Sequence, residues 1–523
     1  MKRPGLVSLV GAGPGDPGLL TVKAARAIAA CDALVYDRLA SEAIVALASP
    51  RCEKMYVGKK PGEHVLTQDE ITALIVSLGL EGKRVVRLKG GDPFVFARGG
   101  EEAQALHAAG VPFEIIPGIT SAIAAPAYAG IPITHRDHNT SFTIATGHED
   151  PAKGYSSLDY AKLANPSQTL VFLMAMGNLP GIVEKLLENG MPADMPTAIV
   201  REGTRPQQET LVAALGTIVA QVERTEFAAP AVVVIGNVVR ERESIRWFDK
   251  HPLFGKRVLI TRPAGQGDEF AAKLWELGAE PIIAPTIAVG SPDDPSAAKD
   301  AVHRVREYRW IVFTSVTGVR RFFDTLAAAG DDARAFGDAR IAAIGPNTAQ
   351  ALSAHGVNAD LVPARFVSED FADGLLRESN KGDRILLYRA QEARDVLPRS
   401  LAECGRDVDI VAAYKTTFVD DADLAQQAAK SDIWTFASAS AVHGFVRNVP
   451  NAAALSDGKY IACIGPVAGE TARGAGLRAD IVAQDYTVDG LIQALREAPP
   501  LNCSRKRPEN TQPDDRSPCR TIA

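Results

Sequence analysis

Two short apolar segments end in groups that could pass a proton between them. Ala33-Leu34-Val35-Tyr36 runs into Asp37, and Val57-Gly58 runs into Lys59. A carboxylate and an amine that face one cleft form an acid–base pair. A third segment, Val85-Val86-Arg87-Leu88-Lys89, runs into Gly90-Gly91-Asp92-Pro93. Two adjacent glycines let a backbone approach a ligand closely, and Asp92 then offers a fixed carboxylate. In open α/β sheets ligands bind outside the carboxyl ends of the strands, where all three features would lie. The plainer alternatives are a helix cap at Asp37 and an ordinary strand-to-helix turn at Gly90-Gly91.

These groups need strands and helices to hold them. Val7 to Val10 reads as a first strand, followed by Gly11-Ala12-Gly13-Pro14-Gly15-Asp16-Pro17-Gly18. A dinucleotide fingerprint would start its helix within the glycines. Here Pro14 and Pro17 hold a loop, and the helix begins after Thr21 as N-cap, so a nicotinamide site is not expected. Ile115-Ile116-Pro117-Gly118-Ile119-Thr120-Ser121 repeats the order strand, turn and hydroxyl-capped helix. Arg98-Gly99-Gly100-Glu101-Glu102 starts another helix, and strands are expected over 142–148, 169–174, 197–200 and 231–236. Residues 5–245 therefore read as two α/β lobes with a cleft between them.

Composition sets the outer limits. The chain has 523 residues, 46% apolar and 23% charged, with a net charge of −6. That balance suits a globular protein of about three domains and argues against a general nucleic-acid surface. The six cysteines are scattered with no Cys-x-x-Cys pair, so neither a disulfide framework nor a zinc site is expected. His135 and His138 lie close together without a further ligand pattern, and no metal is expected there. The apolar run Leu6 to Val10 is too short for a signal peptide, and no stretch reaches the ~18 residues of a membrane span, so a cytoplasmic protein without membrane contact is expected.

The motifs from Gly11 to Pro17, Tyr36-Asp37, Val57-Gly58-Lys59, Arg87 to Phe94, Arg98 to Glu102, Pro117 to Ser121 and Ala127 to Arg136 resemble uroporphyrinogen-III C-methyltransferase, in order and at that family's spacing. The resemblance covers about residues 5–245 and implies S-adenosylmethionine held between two α/β lobes. It implies cofactor contacts from Pro14, Gly90, Gly91, Asp92, Val95, Thr120, Ser121, Met174 and Gly203. By the same resemblance Asp37 is the proton acceptor, Lys59 the proton donor, and Arg98 meets a substrate carboxylate. One departure stands out: Ala97 occupies the place of a glycine in the family's Phe-Gly-Arg-Gly-Gly segment.

The second half repeats itself. Ile341-Ala342-Ala343-Ile344-Gly345-Pro346 matches Ile461-Ala462-Cys463-Ile464-Gly465-Pro466, and Gly356, Ala359, Asp360 and Val362 match Gly476, Ala479, Asp480 and Val482. Val258 to Arg262 echoes Ile385 to Arg389, and Trp310 to Ser315 echoes Ile433 to Ser438. A period this long implies two copies of one α/β lobe, not a solenoid. Each copy has a strand ending in Ser or Thr and an Ile-Gly-Pro turn whose following helix could present free amides to an anion. Thr261-Arg262-Pro263, Phe313-Thr314-Ser315, Ile344 to Thr348, Ala413-Tyr414-Lys415-Thr416 and Phe436-Ala437-Ser438 resemble uroporphyrinogen-III synthase over roughly residues 256–498. That family's fold has two lobes joined by a two-stranded connection, with crossings here near 286 and 415. The resemblance implies that Tyr414 assists loss of a hydroxyl and that Thr314, Ser315 and Ser438 bind substrate. Ala390 to Arg394 lacks the glycines usual in that family.

The expectation is an α/β chain with a two-lobed tetrapyrrole methyltransferase domain over 1–245, a linker over 246–255, a duplicated two-lobed synthase domain over 256–498 and a disordered tail over 499–523. The expected chemistry is cyclisation of hydroxymethylbilane to uroporphyrinogen III and its double methylation to precorrin-2, in sirohaem or cobalamin synthesis. A homodimer is implied by resemblance, and no added dehydrogenase and chelatase module is expected. The alternatives are a later corrin-ring methyltransferase beside an inactive synthase-like module, and a non-catalytic tetrapyrrole-binding protein.

Overall fold

The strands form where the sequence is richest in β-branched and aliphatic residues. The computed structural model describes residues 3–58, 66–148, 157–364, 368–393 and 395–499. Lys59, Arg394 and the tail beyond residue 499 lie outside these residues. The described residues divide into two compact units, one of residues up to Lys256 with Trp275–Glu280, the other of Arg257–Leu274 with residues 281–499. No helix among the described residues is long and apolar enough to cross a membrane.

In the first unit Val7–Gly11 (β1), Ala33–Tyr36 (β2), Glu53–Tyr56 (β3), Val85–Lys89 (β4) and Phe113–Ile116 (β5) make a parallel sheet in the order β3-β2-β4-β1-β5. β1 and β4 are buried along their whole length, as strands covered on both faces must be. Parallel strands need crossover connections, so every strand leaves the sheet at the same edge. The loops after Gly11, Tyr36, Lys89 and Ile116 therefore meet there.

A second sheet in this unit is mixed. Phe142–Thr146 (β6), Thr169–Leu173 (β7), Pro196–Arg201 (β8), Glu209–Ala214 (β9) and Ala231–Ile235 (β10) take the order β6-β7-β10-β8-β9. The edge strand β9 is absent from the sequence reading because it stays half exposed and its short apolar run, Leu211 to Ala214, lacks the alternation of a one-sided strand. The helix Ser121–Tyr128 joins the two lobes. Its N-cap Thr120 follows β5, and its Ala122 and Ala125 pack on Val171, Val200 and Val232 of the second sheet.

The stretch 246–255 reads in sequence as a linker, but it is packed onto the first unit. Trp247 Nε1 donates to the Ala127 carbonyl at 3.0 Å. The Trp247 and Phe248 rings lie 5.0 and 4.8 Å from the Tyr128 ring, and Phe248 is only 3% exposed. Burial of Phe248 explains the difference, because a free linker would leave that ring in water, whereas Trp247 stays 45% exposed and is held by its hydrogen bond and ring contacts.

In the second unit Arg257–Ile260 (β11), Glu280–Ile283 (β12), Ile433–Phe436 (β18), Tyr460–Cys463 (β19) and Ile481–Val482 (β20) form one sheet, in the order β12-β11-β18-β19-β20. Ile287–Gly290 (β13), Trp310–Phe313 (β14), Arg340–Ala343 (β15), Arg384–Ala390 (β16) and Asp407–Phe418 (β17) form the other, in the order β13-β17-β16-β14-β15. The sequence repeat is also a repeat of structure. β14 and β18 each lie between the matching neighbours, and the bridge Ala342–Leu361 takes the place of the pairing of β19 with β20. Asp360 accepts from the Ile341 amide at 2.7 Å, and Asp480 accepts from Ile461 at 2.9 Å. The antiparallel pairing of β13 with the end of β17, Ile287 against Phe418 through Gly290 against Lys415, lies where the sequence places the lobe crossings.

Phe248→Ala is expected to destabilise the first unit by about 3 kcal/mol or more, as for other buried Phe truncations. Urea unfolding followed by Trp fluorescence measures this; a loss below about 0.5 kcal/mol would return 246–255 to the status of a linker.

Candidate active site

Strand alternation places Arg87 and Lys89 on one face of β4, the face covered by the helix Gly99–Ala108. That helix inserts Glu102, which is fully buried. Glu102 Oε1 accepts from Lys89 Nζ at 2.9 Å, Gln68 Nε2 at 3.0 Å and Arg87 Nε at 3.2 Å. Arg87 then reaches outward, and its Nη2 lies 3.2 Å from Asp37 Oδ2. Two cations thus face two carboxylates beneath the loop edge of the sheet. Burial, and then the neighbouring Arg87 charge, push the Lys89 ammonium below its usual range despite the pull of Glu102. Asp37 has one oxygen on Arg87 and the other accepting from the Leu39 amide at 3.0 Å, so its carboxylate is fixed and still partly open to solvent.

Above this network the backbone comes unusually close together. Gly13 and Gly91 exchange two hydrogen bonds, at 3.1 and 2.7 Å. A Cβ on Gly118 would stand 2.3 Å from the Gly91 carbonyl oxygen and 2.7 Å from the Gly11 Cα. Only glycine allows three strand-end loops to stack in this way. Asp92 locks the stack, since Oδ2 accepts from the Gly118 amide at 3.1 Å and Oδ1 from Phe94 at 2.8 Å. Thr120 caps the helix that starts beside Gly91, and Gly203 backs onto Ala125 of that helix, where a Cβ would be 2.4 Å from the alanine methyl.

A cleft of about 580 Å³ opens between the two lobes of this unit. Arg98, Gly99 and Glu101 line it from the first lobe, and Thr146, His148 and Met174 from the second. Phe94, Phe96 and Met174 expose 57, 45 and 51% of their surface here, an apolar face next to charge. Phe96, Arg98 and Met174 have left-handed backbones with φ of 52, 60 and 55°, and Glu202 and Thr204 flank Gly203 at 48 and 71°. Such conformations cost non-glycine residues of order 1–3 kcal/mol and gather at functional sites. Ala97 is not among the left-handed residues, so its methyl group is accommodated. Arg98 Nε donates to Glu101 at 3.0 Å. Against the cost of its burial, the hydrogen bond from Arg98 holds Glu101 below the usual carboxylate range.

The structure thus gathers Gly90, Gly91, Asp92, Thr120 and Ser121 at one edge, places Arg98 and Met174 on the cleft, and sets Asp37 beside Gly90 through Leu39. Pro14 and Val95 lie in the adjoining loops after Gly13 and Asp92. The sequence reading does not assign roles to Arg87, Lys89, Glu102, Thr146 or His148. The i, i+2 pair of basic residues inside an apolar strand was the available signal for the first two.

In the second unit Tyr414 donates to Ser315 Oγ at 3.1 Å, and Ser315 caps the helix Val316–Ala328 by accepting from the Gly318 amide. Burial pushes the Tyr414 phenol up, so it stays protonated and able to donate. Ser438 caps the matching helix Ala439–Asn448 of the other lobe, and Thr314 precedes Ser315 at the end of β14. Gln391 and Glu392 of the glycine-poor loop accept or donate across to Asp293 and the Thr416 amide, so polar side chains hold that loop.

Comparison with known proteins accounts for both halves. The model of the tetrapyrrole (corrin/porphyrin) methylases matches residues 6–219, and that of uroporphyrinogen-III synthase HemD matches residues 268–493. The porphyrin biosynthesis protein HemD of Ruminiclostridium josui is 39% identical across 94% of this chain and 98% of its own length. The chain belongs to the family that fuses a tetrapyrrole methylase to a uroporphyrinogen-III synthase. The uroporphyrinogen-III C-methyltransferase of Bacillus subtilis is 40% identical over 64% of this chain and 68% of that protein. A Thermus thermophilus uroporphyrin-III C-methyl transferase complexed with S-adenyl homocysteine is 40% identical, covering 45% of this chain and 99% of its own, with a TM-score of 0.39. The fusion is a two-part enzyme of tetrapyrrole biosynthesis whose methylase half uses S-adenosylmethionine.

Glu102→Gln removes the negative charge between Arg87 and Lys89. It is expected to destabilise the methylase unit by about 3–5 kcal/mol, as when one partner of a buried ion pair is deleted. Denaturant unfolding tests this, and a change under about 1 kcal/mol would show that the network is not a buried charge balance.

Proposed function

We propose that the synthase half closes hydroxymethylbilane to uroporphyrinogen III and that the methylase half methylates this product twice to precorrin-2, in the cytosol and as a homodimer. The observation that carries the methylase reading is the open cleft of apolar and charged residues beside the glycine stack and Asp37. The bare backbone between Gly13, Gly91 and Gly118, with the Thr120 hydroxyl and the exposed Met174 nearby, suits a compact nucleoside cofactor. Bound S-adenosylmethionine supplies a methyl group on sulfonium for in-line attack by a ring carbon.

The chain's residues do the rest. Phe94, Phe96 and Met174 give the ring an apolar bed. Arg98, with its Nη groups unpaired among the described residues, meets a substrate carboxylate in a charge-assisted hydrogen bond worth roughly 1.5–3 kcal/mol. After the new carbon–carbon bond forms, the methylated carbon is quaternary, so the macrocycle sheds the balancing proton from a neighbouring position, and Asp37 accepts it. Arg87 keeps that carboxylate in one orientation. Lys59 remains the proposed proton donor. Gly90, Gly91, Asp92, Val95, Pro14, Thr120, Ser121 and Gly203 are the proposed cofactor contacts.

In the synthase half, Tyr414 is the proposed donor to the leaving hydroxyl, with Ser315, Thr314 and Ser438 as carboxylate contacts. A later corrin-ring methylase would leave uroporphyrinogen III unmethylated, which the assay below reads directly.

Purified chain is supplied with hydroxymethylbilane, with and without S-adenosylmethionine. Precorrin-2 is expected only with the cofactor, and the III isomer without it; the I isomer alone would refute the synthase reading. Asp37→Asn should lower kcat for methylation by roughly 10²–10⁴-fold, the range for loss of a general base, measured on folded protein because losing the Arg87 ion pair also lowers the melting temperature. Tyr414→Phe should slow cyclisation while leaving methylation of supplied uroporphyrinogen III intact. Full synthase activity in that variant would remove Tyr414 from the mechanism.

A further inference from the structure

One cluster of potential metal ligands lies outside the machinery described above. His135 and His138 sit in the loop between the helix Ser121–Tyr128 and β6, and Glu241 ends the short helix Asn237–Glu241 that follows β10. One ring nitrogen from each histidine and one Glu241 oxygen all lie within 4.8 Å of one another. The imidazole rings are 5.0 Å apart and inclined by 35°, and His138 Nε2 is 2.7 Å from Glu241 Oε1. The side chains are 35, 22 and 26% exposed, shielded but open to an entering ion and to water.

We propose that His135, His138 and Glu241 form a binding site for a divalent transition-metal ion of the Zn²⁺, Co²⁺ or Ni²⁺ class. Two imidazoles and one carboxylate are the donor set such ions take, with water completing the shell. The carboxylate offsets part of the ion's charge and the neutral imidazoles add none. The Asp137 carboxylate, 3.8 Å from His135 Nδ1, stands in reach as an outer acceptor or a fourth donor.

The backbone on both sides is already ordered for this. The His138 and Asn139 amides both donate to the His135 carbonyl at 3.0 Å, a turn that brings the two rings to one side. Asn139 pins the turn: its Oδ1 accepts from the His135 amide at 2.8 Å, and its Nδ2 donates to Ile133, Ser141 and Thr169. On the other side Arg242, next to Glu241, is held by Asp249 at 2.6 Å and by the Ala129 carbonyl. Among the described residues the ligands already take part in the His138–Glu241 hydrogen bond, which a metal replaces with two ligand bonds, and His135 Nδ1 accepts from the Asp137 amide at 3.3 Å. The ion would pin the 134–140 loop to the end of the second sheet, and the inference does not depend on which ring carbon is methylated.

Full-length chain stripped with EDTA and titrated with ZnCl₂ by calorimetry, and with CoCl₂ by visible absorption, tests the site. One equivalent should bind, raise the melting temperature and give the intense absorption of a low-symmetry Co²⁺ site. His138→Ala and Glu241→Gln should each weaken binding by at least the roughly tenfold that loss of even an outer partner costs. Glu241→Gln keeps the side-chain shape and a hydrogen bond to His138, so its metal-free melting temperature should match the wild type and separate ligand loss from misfolding. No binding, or one equivalent bound equally by wild type and both variants, overturns the proposal; the second result would assign the ion to other groups, such as the buried Cys31 and Cys52 thiols 3.3 Å apart.

Discussion

The methylase unit depends on a balance of charge inside its first sheet. Arg87 and Lys89 lie in a fully buried strand, and neither could stay there as an isolated cation. Glu102 answers both through one oxygen, while its other oxygen finds no partner among the described residues. The remaining positive charge is met by Asp37 at the edge. Asp37 is therefore one end of a buried ion chain that also ties a strand to a helix. Buried ion pairs add little net stability compared with apolar packing, but breaking one is costly. Here they hold the Asp37 carboxylate in one orientation at the end of its strand.

The same edge is shaped by close contact of bare backbone. The Gly13–Gly91 pair and the Gly118 approach draw three loops into one surface, and Asp92 ties two of them with its two oxygens. Left-handed Phe96, Arg98 and Met174 then turn large side chains into the cleft. Packing elsewhere must outweigh that backbone cost, and the alanine-rich helix Ser121–Tyr128 packs its Ala122 and Ala125 against the second sheet, with Gly203 close against Ala125.

The synthase unit follows a different plan, one lobe used twice. Each copy keeps a serine cap at its second strand, an aspartate that bonds a strand amide, and a proline-led helix after Ile-Gly. The long strand Asp407–Phe418 serves one sheet with its first part and the antiparallel connection with its last. Tyr414 falls where those two roles meet, which brings its hydroxyl to the capping Ser315 of β14 and its helix.

Much of this was legible in the sequence. Apolar runs ending in Gly, Pro, Asp or Thr mark the strands and their active edge, because a buried parallel strand must be apolar throughout and its exit must turn sharply. The repeat around Ile341 and Ile461 marks the duplication, and the ordered motifs from Gly11 to Arg136 mark the family. Other features became visible only in the fold. The edge strand Glu209–Ala214 is half exposed, yet its apolar residues are consecutive and do not alternate. The stretch 246–255 follows a charged run and reads as a linker, yet two of its aromatic rings pack on Tyr128. Glu102 and Arg87 read as helix start and strand filler until the helix lies across the strand. Glu241 joins His135 and His138 across 106 and 103 residues of chain. Local patterns encode what each segment is, since propensity and burial act over a few residues. Which charges meet is a matter of distance in space, and only the packed chain decides it.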